Sequence, residues 1–141
     1  MRGDVVLDSS VIAAVYFTDP YSDWASSIVE SYRKCYTVDI AYVEIGNVAW
    51  KRIHIFGQPK KEMLLGLKSA IKFIDDVCFV INSRSIVEDA ISLALGVGIT
   101  IYDALFVYSA KVNNVPLATL DRNLVNRLEA AGYGSILVHP Y

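Results

Sequence analysis

Two kinds of segment alternate along this chain: short apolar runs, and longer stretches in which apolar residues return every three or four positions. The first kind reads as buried strand and the second as amphipathic helix. Residues 5–8 are short, apolar and β-branched, as a strand covered on both faces should be. A helical region follows over 10–34, broken near Asp19-Pro20. Residues 36–38 read as a second strand. Asp39 stands where a cap is expected, ahead of a helix running to Phe56 and stopped by Gly57-Gln58-Pro59. Over 60–75, Met63, Leu64, Leu67, Ala70, Ile71 and Ile74 share one helix face, with Lys61, Glu62, Lys68 and Lys72 elsewhere on the wheel.

The second half repeats the alternation. Residues 77–81 form a third predicted strand, and Ser83 or Ser85 is positioned to cap a helix ending near Leu95. Gly96-Val97-Gly98 breaks the pattern before another helix over 102–112. A fourth strand is expected at 116–120, a helix at 122–131 ended by Gly132, and a last strand at 136–138. Strands alternating with helices predict an α/β fold with a parallel sheet covered on both faces. With 141 residues and no linker or repeat, a single domain over 1–141 is expected.

Composition narrows the function. Hydrophobic residues make up 54% and charged residues 20%, enough for a full core and incompatible with disorder. The net charge of −2 removes a broadly basic nucleic-acid footprint, so any such contact must be local or assisted by metal ions. Cys35 and Cys78 lack CxxC spacing and sit at the edges of apolar runs, which suits small buried residues better than a zinc site; their pairing is left open. The opening residues lack the apolar segment of a signal peptide. Residues 91–110 reach membrane-spanning length, but Asp103 lies inside them, at about 2.5–3.5 kcal/mol in a bilayer centre, and Gly96 and Gly98 divide them. The expectation is a cytoplasmic protein with no membrane partner.

Four carboxylates carry the candidate chemistry: Asp8, Glu44, Asp103 and Asp121. Asp8 and Asp121 end strand-like runs, and parallel α/β sheets place their sites at the carboxyl ends of strands. Glu44 interrupts an apolar stripe with Ile40, Ala41 and Val48 around it, and Asp103 is the sole charge between Asp89 and Lys111. Each acid taken alone also fits a structural role: Asp8, Asp103 and Asp121 suit helix N-termini, and Glu44 suits a solvated helix face. Independent caps have no reason to converge, whereas a hard divalent cation requires convergence. Ser9 and Ser10 suit a helix cap or a contact to metal-bound water. Thr119, Asn123, Arg122, Lys51 and Arg52 are weaker polar candidates. His54 and His139 lack partners at i+3 or i+4, which argues against zinc.

In order and spacing, Val-Leu-Asp8-Ser9-Ser10, Val43-Glu44-Ile45-Gly46-Asn47, Tyr102-Asp103-Ala104 and Thr119-Leu120-Asp121 resemble the PIN domain, and in particular VapC-type toxins of prokaryotic toxin–antitoxin pairs. The resemblance covers essentially the whole chain. It implies a three-layer α/β/α sandwich with a central parallel sheet of about five strands. It implies a Mg2+- or Mn2+-dependent endoribonuclease whose metal site is Asp8, Glu44, Asp103 and Asp121, with Thr119 as supporting hydroxyl. It further implies an RNA substrate, a homodimer and a VapB-like antitoxin. Some relatives carry a further acid where Asn123 stands. The Met63–Ile74 face and the Tyr42/Trp50 region are candidate dimer surfaces. Three other readings stay open: a phosphatase or phosphotransfer domain using Asp8, although Asp8-Ser9-Ser10 lacks the second Asp such enzymes show; a non-catalytic PIN-like RNA- or protein-binding module; and a pure scaffold.

Overall fold

A computed structural model describes residues 2–141. Five parallel strands form its centre: β1 (Arg2–Leu7), β2 (Tyr32–Val38), β3 (Phe79–Ile81), β4 (Leu117–Ala118) and β5 (Leu137–Val138). The sheet order is β3-β2-β1-β4-β5. Seven α-helices accompany the sheet: α1 (Ser9–Tyr16), α2 (Ser22–Ser31), α3 (Ala41–His54), α4 (Lys60–Val77), α5 (Val87–Val97), α6 (Ile101–Asn113) and α7 (Arg122–Ala130). This is the α/β/α sandwich that the alternation and the resemblance led one to expect.

β1 is the middle strand, flanked on both edges, and its apolar half is sealed from solvent. Val5, Val6 and Leu7 are fully buried, and so are Leu117 and Ala118 beside them. The chain lays β2 and β3 on one side of β1, then crosses over to place β4 and β5 on the other. The order reverses between β1 and β4, and there the loops leaving the two strands part and open a crevice at their carboxyl ends. Asp8 follows β1 directly, and Thr119 to Asp121 follow β4.

Several boundaries differ from the sequence expectation. The helical region over 10–34 breaks around Asp19-Pro20 as expected, into two helices separated at 17–21, but it gives way to β2 at Tyr32, four residues earlier than expected. The extra strand length lies outside the apolar run and is held by cross-strand polar pairs, Arg33 to Asp4 at 2.8 Å and Arg2 to Tyr32 at 3.3 Å. Asp39 does not cap α3, whose preceding residue is Ile40. Its Oδ2 accepts from the Ser83 backbone N–H at 3.1 Å, tying the ends of adjacent strands β2 and β3. Neither Ser83 nor Ser85 caps α5; Asn82 caps a short 3₁₀ turn over Ser83–Ser85, and α5 starts without a side-chain cap. Val77 closes α4 rather than opening β3. On α4, Leu64 is exposed and Phe73 is buried in its place, 5.8 Å from the Tyr16 ring. Cys35 is buried, Cys78 half-buried, and both are free thiols. Burial pushes them up to about 11 and about 12, leaving them protonated and inert at neutral pH.

The apolar stretch over 91–110 is the bent pair α5 and α6, which meet at 107° around Gly98, a residue in the left-handed region that only glycine adopts freely. Among the described residues, no single helix is long and apolar enough to cross a membrane.

Candidate active site

Asp8 sits just past the end of β1, 7% exposed, with both carboxylate oxygens engaged. Oδ1 accepts from the backbone N–H groups of Ser10 (3.0 Å) and Val11 (3.2 Å) and from Ser10 Oγ (2.5 Å). Oδ2 accepts from Thr119 Oγ1 at 2.5 Å. Asp8 is therefore the helix cap of α1, which does not stop it from also lining an acidic cavity.

The serines are neither caps nor free hydroxyls. Ser10 Oγ donates to Asp8 and accepts from the Leu120 N–H at 2.9 Å, while Thr119 Oγ1 accepts from the Asp121 N–H at 3.1 Å. The two hydroxyls thus lace the loop after β1 to the loop after β4. Ser9 Oγ donates to Glu44 Oε1 at 2.7 Å and fixes that acid, which projects from the first turn of α3. Sequence reasoning did not assign these tethers. The available signal was a hydroxyl pair directly after a strand-terminal Asp.

Asp103 lies in the first turn of α6, which Thr100 caps through the Asp103 N–H at 3.2 Å. Asp121 is exposed and caps α7, with Oδ1 accepting from the Leu124 N–H at 3.1 Å. The fold brings all four acids to one cavity of about 120 Å³, lined also by Ser9, Ser10 and Phe106. Thr119 stands behind it, fully buried.

No lysine, arginine or histidine lines this cavity. The electrostatics follow. Desolvation, only partly offset by the bonds from Ser10, Thr119 and Val11 and reinforced by the Asp103 charge, raises Asp8 to about 6. Desolvation, then the charges of Asp121 and Glu44, raise Asp103 to about 6. Asp103 is thus coupled to each of the other acids: Asp121 and Glu44 act on it, and it acts on Asp8. Among the described residues no three or more acidic, His or Cys side chains stand in ready-made metal-holding geometry. The donor set itself is oxygen-only and carries surplus negative charge, which fits a hard divalent cation and not zinc.

The other sequence candidates lie elsewhere. Asn123 is exposed and does not line the cavity. Arg122 packs over the Tyr141 ring at 4.0 Å, and Arg52 donates to the Thr18 carbonyl at 2.7 Å; both serve the fold. His54 stacks on Trp50, and His139 faces Glu129 at 3.6 Å. Lys51 shares a neighbouring groove with Glu44 and Asp121.

A model of the PIN domain matches residues 5–129. The chain belongs to the PIN domain family. It is 32% identical over 126 residues to Ribonuclease VapC3 of Pyrobaculum aerophilum, an alignment covering 89% of this PIN domain and 95% of the relative. Among solved structures, one from Pyrobaculum aerophilum superposes with a TM-score of 0.68 at 22% identity, covering 88% of this chain and 78% of that one. A toxin–antitoxin complex from Klebsiella pneumoniae superposes at 0.63 with 16% identity, covering 97% and 98% of the two chains. The structural likenesses establish the fold. The acids at the ends of β1 and β4, and in the first turns of α3 and α6, all fall inside the matched region.

Proposed function

We propose that this PIN domain is an endoribonuclease that hydrolyses RNA phosphodiesters with Mg2+ or Mn2+, and that it is the toxin of a VapBC-type pair. The observation that carries the reading is the convergence of Asp8, Glu44, Asp103 and Asp121 on one cavity without a basic counterpart. Kinship with a named VapC ribonuclease over nearly the full length of both chains supports it.

Asp8, Glu44, Asp103 and Asp121 would hold the ion. When bound, it would supply activation of a water nucleophile at neutral pH and neutralisation of phosphoryl charge. The chain's own residues do the rest. Ser10 and Thr119 hold Asp8 in one orientation, and Ser9 does the same for Glu44, so two acids are positioned before substrate arrives. Asp121, exposed at the mouth, faces incoming substrate, while buried Asp8 forms the floor. Asp8 and Asp103, raised to about 6, are largely ionised at pH 7.5 and largely neutral at pH 5. The donor set is therefore assembled electrostatically across that interval. A homodimer restrained by a VapB-like antitoxin completes the reading, supported by a structural neighbour that is itself a toxin–antitoxin complex.

The test is cleavage of a labelled single-stranded RNA by purified, antitoxin-free protein in manganese or EDTA, beside Asp103→Asn. Cutting that requires the ion and vanishes in the variant is the expected result. Cutting that survives in EDTA, or in Asp103→Asn, would remove the acidic cavity from the chemistry.

A further inference from the structure

Beside the acidic cavity, and sharing Glu44 and Asp121 with it, lies a larger groove of about 610 Å³ between α3 and α6. Val43, Asn47 and Lys51 stand at i, i+4 and i+8 on α3 and form one wall, and Tyr102 of α6 forms the other. Val43 is 75% and Tyr102 59% exposed. An exposed aromatic ring, an aliphatic side chain, an amide and a cation in one groove are a chemically specific set.

Neighbouring side chains underline the point. Arg52 is tied to Thr18 and Asp19, and Trp50 is stacked on His54. Among the described residues, by contrast, Lys51 is ion-paired with no carboxylate, and the Tyr102 ring stacks on no other ring and under no cation. Tyr102 also directly precedes Asp103 in the chain, and its groove shares Glu44 and Asp121 with the acidic cavity, so a ligand on its ring lies next to that cavity.

On the nuclease reading, on which this inference rests, we propose that the groove is the subsite for an unpaired nucleobase flanking the scissile phosphate. The base stacks on Tyr102 with Val43 against its other side. The Asn47 amide meets the base edge, and Lys51 meets the adjoining phosphate. A base inside a duplex cannot be splayed onto the ring, so the subsite selects single-stranded RNA. Stacking supplies affinity where the acidic cavity and the net charge of −2 oppose binding. Base–aromatic stacks are worth roughly five- to a hundredfold in affinity.

A short single-stranded RNA carrying 2-aminopurine is titrated in calcium, and its cleavage is followed in manganese, with wild type, Tyr102→Ala, Tyr102→Phe and Lys51→Ala. Wild type and Tyr102→Phe should quench the fluorophore. Tyr102→Ala should bind about tenfold more weakly, with the loss carried in Kd and KM and insensitive to salt. Lys51→Ala should lose affinity mainly at low salt, lowering the salt slope by about one. Quenching absent from wild type, or unchanged quenching, Kd and KM in Tyr102→Ala, would overturn the subsite even if cleavage persisted. Tyr102-dependent quenching without cleavage by any variant would keep the subsite and sink the nuclease reading. An effect of Tyr102→Ala confined to sedimentation without RNA would assign the groove to a protein contact and overturn the subsite.

Discussion

Thr119 Oγ1 donates to Asp8 Oδ2 at 2.5 Å across 111 positions of sequence, joining the ends of the two strands between which the sheet order reverses. The same hydroxyl accepts from the Asp121 N–H, so one side chain serves two of the four acids. Thr119→Val keeps the shape and removes both bonds. It leaves a buried carboxylate oxygen and a backbone N–H unpaired, at a cost of about 1–3 kcal/mol. Urea denaturation should register this loss, and Thr119→Ser should restore most of it. A Thr119→Val midpoint equal to wild type would show that the bond does not form in solution.

The pH dependence of stability has a definite sign. Asp8 and Asp103 are raised to about 6 in the fold, above an unfolded value near 3.9. The native state thus binds more protons than the unfolded chain between roughly pH 4 and 6. Their contribution is fully present below the unfolded pKa and is lost as pH rises through about 6. Metal-free protein should therefore melt higher at pH 5 than at pH 7.5, with buried Asp8 accounting for about 1–1.5 kcal/mol over that interval. Asp103→Asn should flatten the profile and raise the melting temperature at pH 7.5. Thermal melts in EDTA across this range decide it; a rise in stability toward pH 7.5 would contradict the raised values.

Added cation should have the opposite profile. Millimolar manganese at pH 7.5 should raise the melting temperature by several degrees, since a ligand at a hundred times its Kd contributes about 2.7 kcal/mol. At pH 5 the gain should shrink, because protons hold the same oxygens. No shift in wild type at pH 7.5 would count against an ion at this cavity.

Gly66 on α4 tests how α4 seats against the end of α1. A Cβ there would lie 2.9 Å from both Phe17 Cε1 and the Tyr16 carbonyl oxygen. Gly66→Ala should destabilise by about 1–3 kcal/mol despite the better helix propensity of alanine. Gly46 on α3 meets nothing within 4 Å, so Gly46→Ala should stabilise by about 0.5–1 kcal/mol. Equal effects from the two variants, read by chemical denaturation, would mean that α4 packs differently.

How much of this could be read from the chain depended on whether the signal was local. Apolar runs gave the strands where burial was complete, as at Val5, Val6 and Leu7. They missed the first turns of β2, where Arg33 and Asp4 hold the strand by a cross-strand ion pair invisible to periodicity. Asp39 looked like a cap because caps are local; its real partner, Ser83, lies 44 residues away. Glu44 and Asp103 were legible as charges in apolar surroundings, Asp8 and Asp121 by their places at strand ends, and Thr119 as a supporting hydroxyl through the resemblance. The tie of Ser9 to Glu44 was not, since it joins segments that only the folded chain makes adjacent. Lys51 and Arg52, alike in sequence, were separated only by structure: Lys51 shares a groove with Glu44 and Asp121, whereas Arg52 is locked to Thr18.

The pairing of the first strand with the fourth also sets a timetable for the living cell. A ribosome delivers Asp8 first, Glu44 next, and Asp103 and Asp121 only after a further fifty-odd residues. Until β4 has emerged and docked on β1, Asp8 lacks its Thr119 donor and its acidic neighbours remain dispersed along an unfinished chain. Translation therefore yields a nascent polypeptide without an assembled acidic cavity until the segment that carries β4 and Asp121 has emerged.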